Sequence, residues 1–413
     1  MSKLTRHIAG STLATDSVEI EAVLLTGGFD KPYAFGLAMA LISRCIRLDV
    51  IGSDAVDGPA MHTTHKLRFL NLRSNQRPDA SLAEKTWRLL VLYAKLIRYA
   101  ISARQKIFHI LWNNRFEYFD RTLLMLFYKV RGKKIVLTAH NVNAAKRDSR
   151  DTLLNRITLK IQYRLADHIF VHSEKMRRDL IEEFDVPEEA TSVIPFGVNN
   201  AVPRTSLTPG QAKERLGISG GERTLLFFGR IVPYKGLEFL VAAFQKILAS
   251  NSDYRLIIAG NAKKGSDRYL GDIKRTISRD LAMGRVITRI EYIPDEETEL
   301  YFKAADVFVL PYTQVFQSGV LFLGYSFGLP VIATCVGSFR EEIIEGRTGF
   351  LCGPCDSIGL AKTIETYFAS DLYRDLDGRR QEIRDYVNVQ HSWDVVSELT
   401  RKVYVRLLEE YQS

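Results

Sequence analysis

The sharpest chemical pattern in this sequence is a glycine followed by two cations at the end of an apolar run. Gly229 follows the apolar segment 224–228, and Arg230 and Lys235 come next, separated by a turn that contains Pro233. Glycine lets another group approach the backbone closely, and two cations can bind one diphosphate from two sides. The pattern therefore predicts an anion site, and a strand that ends in a solvated basic turn is the alternative.

Two further segments could supply amides to the same anion. Gln317-Ser318-Gly319-Val320 precedes an apolar helical segment that Ser318 can cap, and the first amides of a helix bind phosphate without a metal. An ordinary serine-capped core helix would have the same residues. Thr26-Gly27-Gly28 ends the first apolar run and could present its amides from the opposite side, although it is not a Gly-x-Gly-x-x-Gly dinucleotide motif.

The elements that must position these residues follow an α/β pattern, with short apolar runs that alternate with helical segments. Predicted strands in the first half are 18–25, 48–51, 107–112, 134–138, 168–171 and 191–195, with a helix over 33–43. Predicted strands in the second half are 224–228, 254–259, 286–290, 307–310 and 331–334, after a Pro-, Gly-, Ser- and Thr-rich linker over 199–221.

These two series predict two Rossmann-like domains with parallel sheets that face each other across a cleft. The predicted domains are residues 1–200 and 201–390, and a C-terminal helix over 391–413 is expected to pack back toward the first domain. Ligands of open parallel sheets bind at the carboxyl ends of the strands. The predicted anion site therefore lies in the cleft.

The positive charge is concentrated in the first half. Residues 1–200 carry the whole net charge of +9, and residues 51–150 alone hold 19 basic and 7 acidic residues. Nucleic acid, anionic lipid and a phosphorylated acceptor are all partners that such a surface would attract. Within 84–106, bulky apolar residues lie beside Arg88, Lys95 and Arg98, as in a helix that docks on anionic lipid. A core helix with a basic outer edge is the alternative.

The composition argues against several other classes of protein. Four cysteines do not make a secreted disulfide framework in a chain of 413 residues. The pair Cys352-Gly-Pro-Cys355 lies in a turn-rich stretch, 345–356. A redox site of this type would instead follow a strand directly and open a helix. The uncharged stretch 311–339 is interrupted by Gly and Pro, and 1–21 lacks the apolar core of a signal peptide. The sequence thus predicts a cytoplasmic protein.

In their order along the chain, these motifs resemble glycosyltransferase family 4, the retaining GT-B enzymes. After Gly27-Gly28, the matching segments are 137–141, 193–198, 229–236, 291–294, 304–311, 328–334 and 346–350. The spacing Gly-Arg-x-x-x-x-Lys-Gly, with Gly-Leu-Pro-Val-Ile-Ala downstream, is highly specific for that family. The resemblance covers nearly the whole chain.

The resemblance implies a role for each candidate residue. Arg230 and Lys235 neutralise the donor diphosphate, surrounded by Gly27, Gly28, Gly229 and residues 317–320. His140 approaches the transferred sugar, although a single histidine after a strand is also common as a structural residue. Tyr292, Ile293 and Pro294 hold the edge of the nucleobase, largely by backbone.

The resemblance also implies the reaction and the partners. A hexose would pass with retention from a UDP- or GDP-sugar to a glycan or lipid-linked acceptor, in polysaccharide or glycoconjugate biosynthesis. No cofactor or metal is expected, because the only Asp-x-Asp sequence, 375–377, lies in a charged stretch near the C-terminus. No nucleic acid is expected, because the basic residues form no recognisable reading module. Localisation is expected to be cytoplasmic, with peripheral attachment to the inner face of the membrane through 84–106.

One departure from the family pattern leaves two interpretations of the donor site open. The family places two glutamates eight residues apart around the phosphate loop, and Val315 and Leu323 stand at those positions here. The chain then belongs to a subgroup in which the Gln-Ser-Gly loop takes over these contacts, or it binds sugar nucleotides without catalysis. A phosphorylase is disfavoured, because no lysine motif for a pyridoxal cofactor is apparent.

Overall fold

Two parallel β-sheets form the framework of the protein. The computed structural model describes residues 20–28, 30–74, 81–148, 150–198, 202–263 and 265–412. The first sheet contains β1 (Glu21–Leu25), β2 (Arg47–Gly52), β3 (Leu67–Asn71), β4 (Ile107–Ile110), β5 (Lys134–Thr138), β6 (His168–Val171) and β7 (Thr191–Val193). The second contains β8 (Arg223–Phe228), β9 (Tyr254–Ala259), β10 (Val286–Arg289), β11 (Val307–Leu310), β12 (Val331–Thr334) and β13 (Gly349–Cys352).

Both sheets have the strand order of doubly wound domains. The first runs β3-β2-β1-β4-β5-β6-β7 and the second β10-β9-β8-β11-β12-β13. The order reverses next to β1 in one sheet and next to β8 in the other. Crevices for ligands open at such reversal points, beyond the carboxyl ends of the strands. Gly27-Gly28 follows β1 and Gly229 follows β8, so both glycine turns lie at these points.

Helices cover both faces of each sheet. The first domain contains α1 (Lys31–Ser43), α2 (Leu82–Ser102), α3 (Glu117–Phe119), α4 (Met125–Val130), α5 (Ala144–Arg147), α6 (Leu153–Leu165) and α7 (Glu174–Phe184). After it come α8 (Pro209–Arg215), α9 (Leu237–Leu248), α10 (Asp267–Ala282), α11 (Asp295–Ala304), α12 (Gly319–Ser326), α13 (Phe339–Glu342), α14 (Ser357–Ala369), α15 (Asp371–Arg374), α16 (Leu376–Gln390) and α17 (Trp393–Gln412). A π-helical turn, Asp120–Leu124, joins α3 to α4.

The first sheet separates two apolar layers. One layer packs α1 and α17 against the sheet, and Tyr33, Leu37 and Tyr404 are among its buried residues. The other layer packs α2, α4, α6 and α7 against the opposite face. The central strands are buried on both sides, which explains why they are short apolar runs without alternation. The edge strands β3 and β7 are only partly buried.

The last helix returns from the second domain to the first. Trp393 begins α17, and its indole Nε1 donates to the carbonyl of Val198 over 3.0 Å. A Cβ added at Gly36 of α1 would come within 2.1 Å of the Trp393 ring, and one at Gly197 within 2.5 Å. The indole is therefore held between two glycines that have no room for a side chain. This contact fixes where the chain crosses between the domains.

The structure differs from the sequence-based prediction at three elements. Strands β3 and β13 are absent from the prediction, and α8 lies inside the stretch that composition marks as a linker. Thr208 and Gln211 form a capping box around Pro209, so proline here starts a helix. Residues 199–201 of that stretch lie outside the described residues. Among the helices that the structure describes, none is long and apolar enough to cross a membrane.

The prediction that Cys352 lies in a turn was wrong, because Cys352 ends β13, and Cys355 precedes Asp356, the N-cap residue of α14. The pair thus has the strand-to-helix context of a redox motif. Burial nevertheless raises the pKa of the Cys352 thiol to about 12, with Asp356 adding to the effect. A redox cysteine needs a lowered pKa, so the interpretation of this pair as inert is unchanged.

Candidate active site

The loop after β8 brings Lys235 back to the glycine that ends the strand. Gly229 has a φ of 105°, and a Cβ added there would lie 3.2 Å from Lys235 Nζ. Gly236 has a φ of 64°, and its added Cβ would come within 2.0 Å of the carbonyl oxygen of Pro311. Both positions therefore require glycine, the first for the turn and the second for close packing on the end of β11. The loop holds Lys235 in a defined place.

Lys235 is buried, but its pKa remains high enough for the side chain to be mostly charged near pH 7. It is 7% exposed, and its Nζ lies 5.1 Å from the centre of the Tyr312 ring. Burial lowers its pKa to about 8, and the neighbouring charge of Arg230 acts in the same direction. Arg230 itself is exposed. An anion that binds between these two cations would be attracted by both and would raise the pKa of Lys235 again.

The N-terminus of α12 completes this side of the site. Ser318 holds the N-cap position, but its side chain makes no capping hydrogen bond, contrary to the expectation that it caps the helix. The added Cβ at Gly229 would also lie 3.9 Å from Val320, so the first turn of α12 faces the loop that carries Lys235. Lys235 thus lies beside a helix N-terminus, with Arg230 on the same loop, which is a suitable environment for a diphosphate.

The Gly27-Gly28 turn packs against the end of β4. Both glycines have positive φ, 60° and 76°. A Cβ at Gly27 would come within 2.7 Å of the carbonyl oxygen of Asn113 and 2.9 Å of Trp112. The Gly28 amide donates to Thr26 Oγ1 over 3.1 Å, so in this conformation that amide is already engaged within the turn. A phosphate contact from Gly28 would require a change in the turn.

His140 lies in an aromatic cage beside this turn. Its ring stacks on Trp112, with 4.2 Å between centroids and 4° between planes, and Tyr33 contacts its edge at 4.7 Å. The Nδ1 atom lies 3.0 Å from Nε2 of His172. The Nε2 atom is buried and has no hydrogen-bond partner in the described part of the chain. Burial lowers the pKa of His140 well below its ordinary value, with His172 the next cause, so the ring is neutral near pH 7.

Phe196 joins the two halves of the site. Its ring lies 6.1 Å from His140 on one side and stacks on Phe322 of α12 at 5.5 Å on the other. A Cβ added at Gly319 would come within 3.2 Å of the same ring. The start of α12 and the histidine cage are therefore separated by a single side chain. Of the predicted site residues, Gly27, His140, Gly229, Lys235, Gly319 and Val320 belong to this continuous arrangement.

The structure gives the positions of the other predicted residues, but their contacts do not by themselves indicate the predicted roles. Ile293 is buried in the same apolar cluster as Phe228, which ends β8, and Pro294 holds the N-cap position of α11. Tyr292 is 71% exposed. The carbonyl group of Gln317 accepts from Ser338, while its amide nitrogen is buried without a partner among the described residues.

Apolar side chains occupy the two positions where the family pattern has glutamates. Val315 is 8% exposed and Leu323 is 7% exposed, and both belong to the apolar cluster beneath α12. A carboxylate at either position would be buried among apolar groups in this structure. In the part of the chain that the structure describes, no group of three or more His, Cys, Asp or Glu residues is placed to hold a metal ion.

Sequence reasoning did not single out Trp112, His172 or Phe196. A usable signal existed for His172, which directly follows β6, while His140 follows the neighbouring strand β5. Side chains at the carboxyl ends of adjacent parallel strands come close together. Phe196 lies in the matching segment 193–198, but its contacts join His140 to Phe322, which are more than a hundred positions apart, and the sequence does not reveal them.

Comparison with known proteins agrees with this geometry. A model described as Glycosyltransferase Family 4 matches residues 32–202, and one described as Glycosyl transferases group 1 matches residues 222–370. The chain belongs to glycosyltransferase family 4. This confirms the resemblance drawn from the motifs and the prediction that the protein is a glycosyltransferase.

Two relatives are D-inositol 3-phosphate glycosyltransferases of Corynebacterium. The protein of Corynebacterium diphtheriae is 24% identical, with 97% of this chain and 95% of the relative covered. That of Corynebacterium aurimucosum is 26% identical, and the chain spans only 65% of its length, with 65% of this chain covered.

Solved structures confirm the GT-B fold, with two Rossmann-like domains. Sucrose-phosphate synthase from Thermosynechococcus elongatus has a TM-score of 0.75 at 19% identity, covering 95% of this glycosyltransferase and all (100%) of that chain. Anabaena Alr3699/HepE in complex with UDP and glucose has a TM-score of 0.72 at 17% identity, covering 94% and 100% of the two chains.

Proposed function

We propose that this glycosyltransferase moves a hexose, with retention of configuration, from a nucleoside diphosphate sugar to an acceptor bound by the first domain. The observation that carries the proposal is the convergence of Gly229, Lys235 and the start of α12 on one side of Phe196, with His140 on the other. In this assignment residues 201–390 hold the donor and residues 1–200 the acceptor.

The difficult step is departure of the nucleoside diphosphate from the anomeric carbon. Arg230, Lys235 and the amides of α12 would stabilise the charge that develops on the leaving phosphate, and fixed donors of this kind lower a barrier by several kcal/mol. The acceptor hydroxyl would attack from the face that the phosphate leaves. The departing phosphate would take its proton, so that no protein carboxylate pair is needed and no metal is required. His140 Nε2 would accept a hydrogen bond from a sugar hydroxyl.

The donor can be identified by thermal shift against UDP-, GDP- and ADP-sugars. A ligand at a hundred times its Kd stabilises the folded state by about 2.7 kcal/mol, which a melting curve resolves. We expect a UDP- or GDP-sugar to raise the Tm, and the Arg230→Ala variant to lose about 10- to 100-fold in affinity. Arg279→Ala, an exposed change on α10, is the control. An equal loss of donor affinity in both variants would contradict the assignment of Arg230. Separately, inhibition of transfer by EDTA would contradict metal-independent transfer.

A small pocket behind the Gly27 turn, lined by apolar and polar side chains, would contact one polar group of the acceptor. Its polar lining includes Arg73, Asn114 and Asp120. Burial raises the pKa of Asp120 to about 6, and its Oδ2 has no hydrogen-bond partner in the described part of the chain. Burial and the charge of Arg115 lower the pKa of Arg73. This mixture of cation and carboxyl group suits a hydroxylated acceptor that carries a negative charge.

Two acceptor classes therefore deserve comparison. The sequence favours a glycan or lipid-linked acceptor, and the name of the Corynebacterium relatives, together with Arg73 and Arg115, favours a small phosphorylated polyol. Initial rates with inositol phosphate, free inositol and a lipid-linked sugar would distinguish them. A preference for the phosphorylated compound of at least tenfold over its free counterpart, about 1.4 kcal/mol, would favour the polyol.

The first domain also exposes several large apolar side chains, which supports membrane docking. Trp87 and Leu90 of α2 are 67% and 59% exposed. The outer sides of the neighbouring helices continue this surface with Leu123, Leu126, Val130, Leu153, Leu154 and Ile157. Helices α2, α4 and α6 belong to one layer on the sheet, so these side chains face outward from the same side. We name them the apolar face.

Exposed basic residues lie on the same helices as the apolar face, which makes an anionic lipid surface its best occupant. Lys95 and Arg98 lie on the exposed part of α2, and Arg156 lies on α6. Helix α2 ends at Ser102, so the docking segment predicted as 84–106 is helical only to that residue.

Vesicle sedimentation tests membrane docking. The protein should sediment with anionic vesicles at low salt, and less at high salt because exposed charges are screened. Trp87→Ser should weaken this binding, whereas Ile358→Ser should not, since Ile358 is equally exposed at 67% but lies on α14 of the second domain. Sedimentation independent of lipid charge and salt would contradict the proposal.

A sugar-nucleotide binder without catalysis is the second candidate function. The burial of Val315 and Leu323 among apolar groups favours it, because no carboxylate stands at those two positions. Donor binding in the thermal-shift screen, without transfer or slow donor hydrolysis, would support this candidate. Transfer to any acceptor would exclude it.

A further inference from the structure

His172 makes two hydrogen bonds that together determine its protonation. Its Nδ1 lies 3.0 Å from the carbonyl oxygen of Ile194, and its Nε2 lies 3.0 Å from Nδ1 of His140. The residue is 3% exposed, and burial lowers its pKa to about 4, so it is neutral near pH 7. A carbonyl oxygen only accepts hydrogen bonds, so Nδ1 of His172 must carry the proton. Its Nε2 is then an acceptor.

The protonation of His140 follows from that of its neighbour. Because Nε2 of His172 is an acceptor, the His140 nitrogen facing it must donate, which places the single ring proton of His140 on Nδ1. The other nitrogen, Nε2, is left with a free lone pair. That atom is buried without a partner among the described residues. A buried acceptor in this state is costly, and a donor brought by a ligand would remove the cost.

We infer that His172 is a positioning residue. Its hydrogen bond to the Ile194 carbonyl fixes its own tautomer and thereby that of His140, so that Nε2 of His140 is an acceptor for a substrate hydroxyl. The ring of His140 is also held in place, since Trp112 stacks on one face and Tyr33 contacts its edge. The inference on catalysis rests on the proposed function, whereas the inference on the tautomer does not.

The groups around His172 leave no competing donor for its acceptor nitrogen. Tyr33 contacts the ring edge-on at 5.8 Å and Phe196 at 5.0 Å. The other nearby titratable group is His391, whose Nδ1 lies 3.2 Å from the carbonyl oxygen of Phe196 and whose Nε2 lies 3.2 Å from Glu342. His391 is thus engaged with its own partners. The bond to His140 is the one that His172 Nε2 makes.

The tautomer can be read directly from the intact protein. In a sample labelled with ¹⁵N in its histidine rings, two-bond correlation spectra distinguish Nδ1–H from Nε2–H rings. We expect His140 and His172 of the unaltered protein both to be Nδ1–H, with assignments made by single substitutions. An Nε2–H ring at His140 in the unaltered protein would overturn the inference without any assay of activity.

Two substitutions at His172 separate positioning from packing. His172→Phe keeps the ring but removes both nitrogens, so His140 should lose its Nδ1–H preference, and kcat should fall at least about tenfold with donor Kd unchanged. His172→Gln keeps one donor and one acceptor and should restore part of kcat. His168→Phe, which replaces the buried histidine that begins β6, should leave the His140 tautomer unchanged.

The outcomes distinguish the positioning role of His172 from the catalytic role of His140. An unchanged His140 tautomer in His172→Phe would overturn the positioning role, and an unfolded His172→Phe leaves the decision to His172→Gln and the unaltered protein. If His140→Ala transferred sugar at the normal rate, the proposed catalytic role of His140 would fail while the tautomer assignment stood.

Discussion

At the scale of single residues, Lys235 illustrates how burial and function are related. A lysine that is 7% exposed loses much of its hydration, and its pKa falls to about 8. Gly229 and Gly236 nevertheless hold the residue in a loop that faces the first turn of α12. The structure tolerates this desolvation in the free protein, and a bound diphosphate would offset it.

A dependence on pH follows from the pKa of Lys235. In the free enzyme, kcat/KM should fall as the pH rises through about 8, because deprotonation removes one of the two charges that bind the diphosphate. At saturating donor the bound phosphate raises this pKa, so kcat should stay level to higher pH. Lys235→Arg should shift the alkaline fall in kcat/KM out of range, because guanidinium stays charged. An unchanged profile in that variant would contradict the assignment.

At the scale of elements, the contact between α1 and the start of α17 overrides helix propensity. Gly36 lies in the middle of α1, where alanine would ordinarily stabilise a helix by about 1 kcal/mol. The Trp393 ring occupies the space into which its Cβ would extend, at 2.1 Å. Tertiary packing thus determines the residue at this position.

Gly36→Ala should therefore lower the free energy of unfolding, by about 1 to 3 kcal/mol, as overpacking does in tightly packed sites. Gly271→Ala is the matched control, because Gly271 lies in α10 with nothing within 4 Å of an added Cβ. That control should stabilise the protein by up to about 1 kcal/mol. Urea unfolding of both variants measures the difference, and a stabilising Gly36→Ala would show that Trp393 moves aside freely.

At the scale of the whole molecule, the first domain carries a group of buried neutral histidines. Burial lowers the pKa of His109 to about 3 and those of His168 and His172 to about 4, and it lowers the pKa of His140 well below the ordinary value. Asp120, whose pKa is raised to about 6, has the opposite effect on stability and is outnumbered.

The free energy of unfolding should fall as the pH drops from about 6.5 to about 4. In this window the unfolded chain binds protons on histidines that the folded chain keeps neutral, so each one costs up to about 1.4 kcal/mol per pH unit. Urea unfolding at several pH values tests this dependence, and His109→Phe should reduce its slope. Constant stability between pH 6.5 and 4.5 would show that these histidines are protonated in the folded state.

The local sequence was sufficient for the fold class and for locating the loop that carries Arg230 and Lys235. Apolar runs separated by helical segments predicted both parallel sheets, because burial of a strand on two faces leaves a signal in consecutive residues. Gly229, Arg230 and Lys235 were found for the same reason, since one short loop contains all three. Strands β3 and β13 were missed because they contain polar or glycine residues and are only partly buried, so neither has the pattern of a fully buried strand.

Only the tertiary structure determined what surrounds His140. The sequence indicated a histidine after a strand, which is compatible with a structural or a catalytic residue. Its cage comes from Tyr33, Trp112, His172 and Phe196, which lie on different elements of the chain. Distances between such residues depend on how the strands are ordered and how the two domains meet, and no local pattern encodes them. The protonation of His140 is a property of that packing.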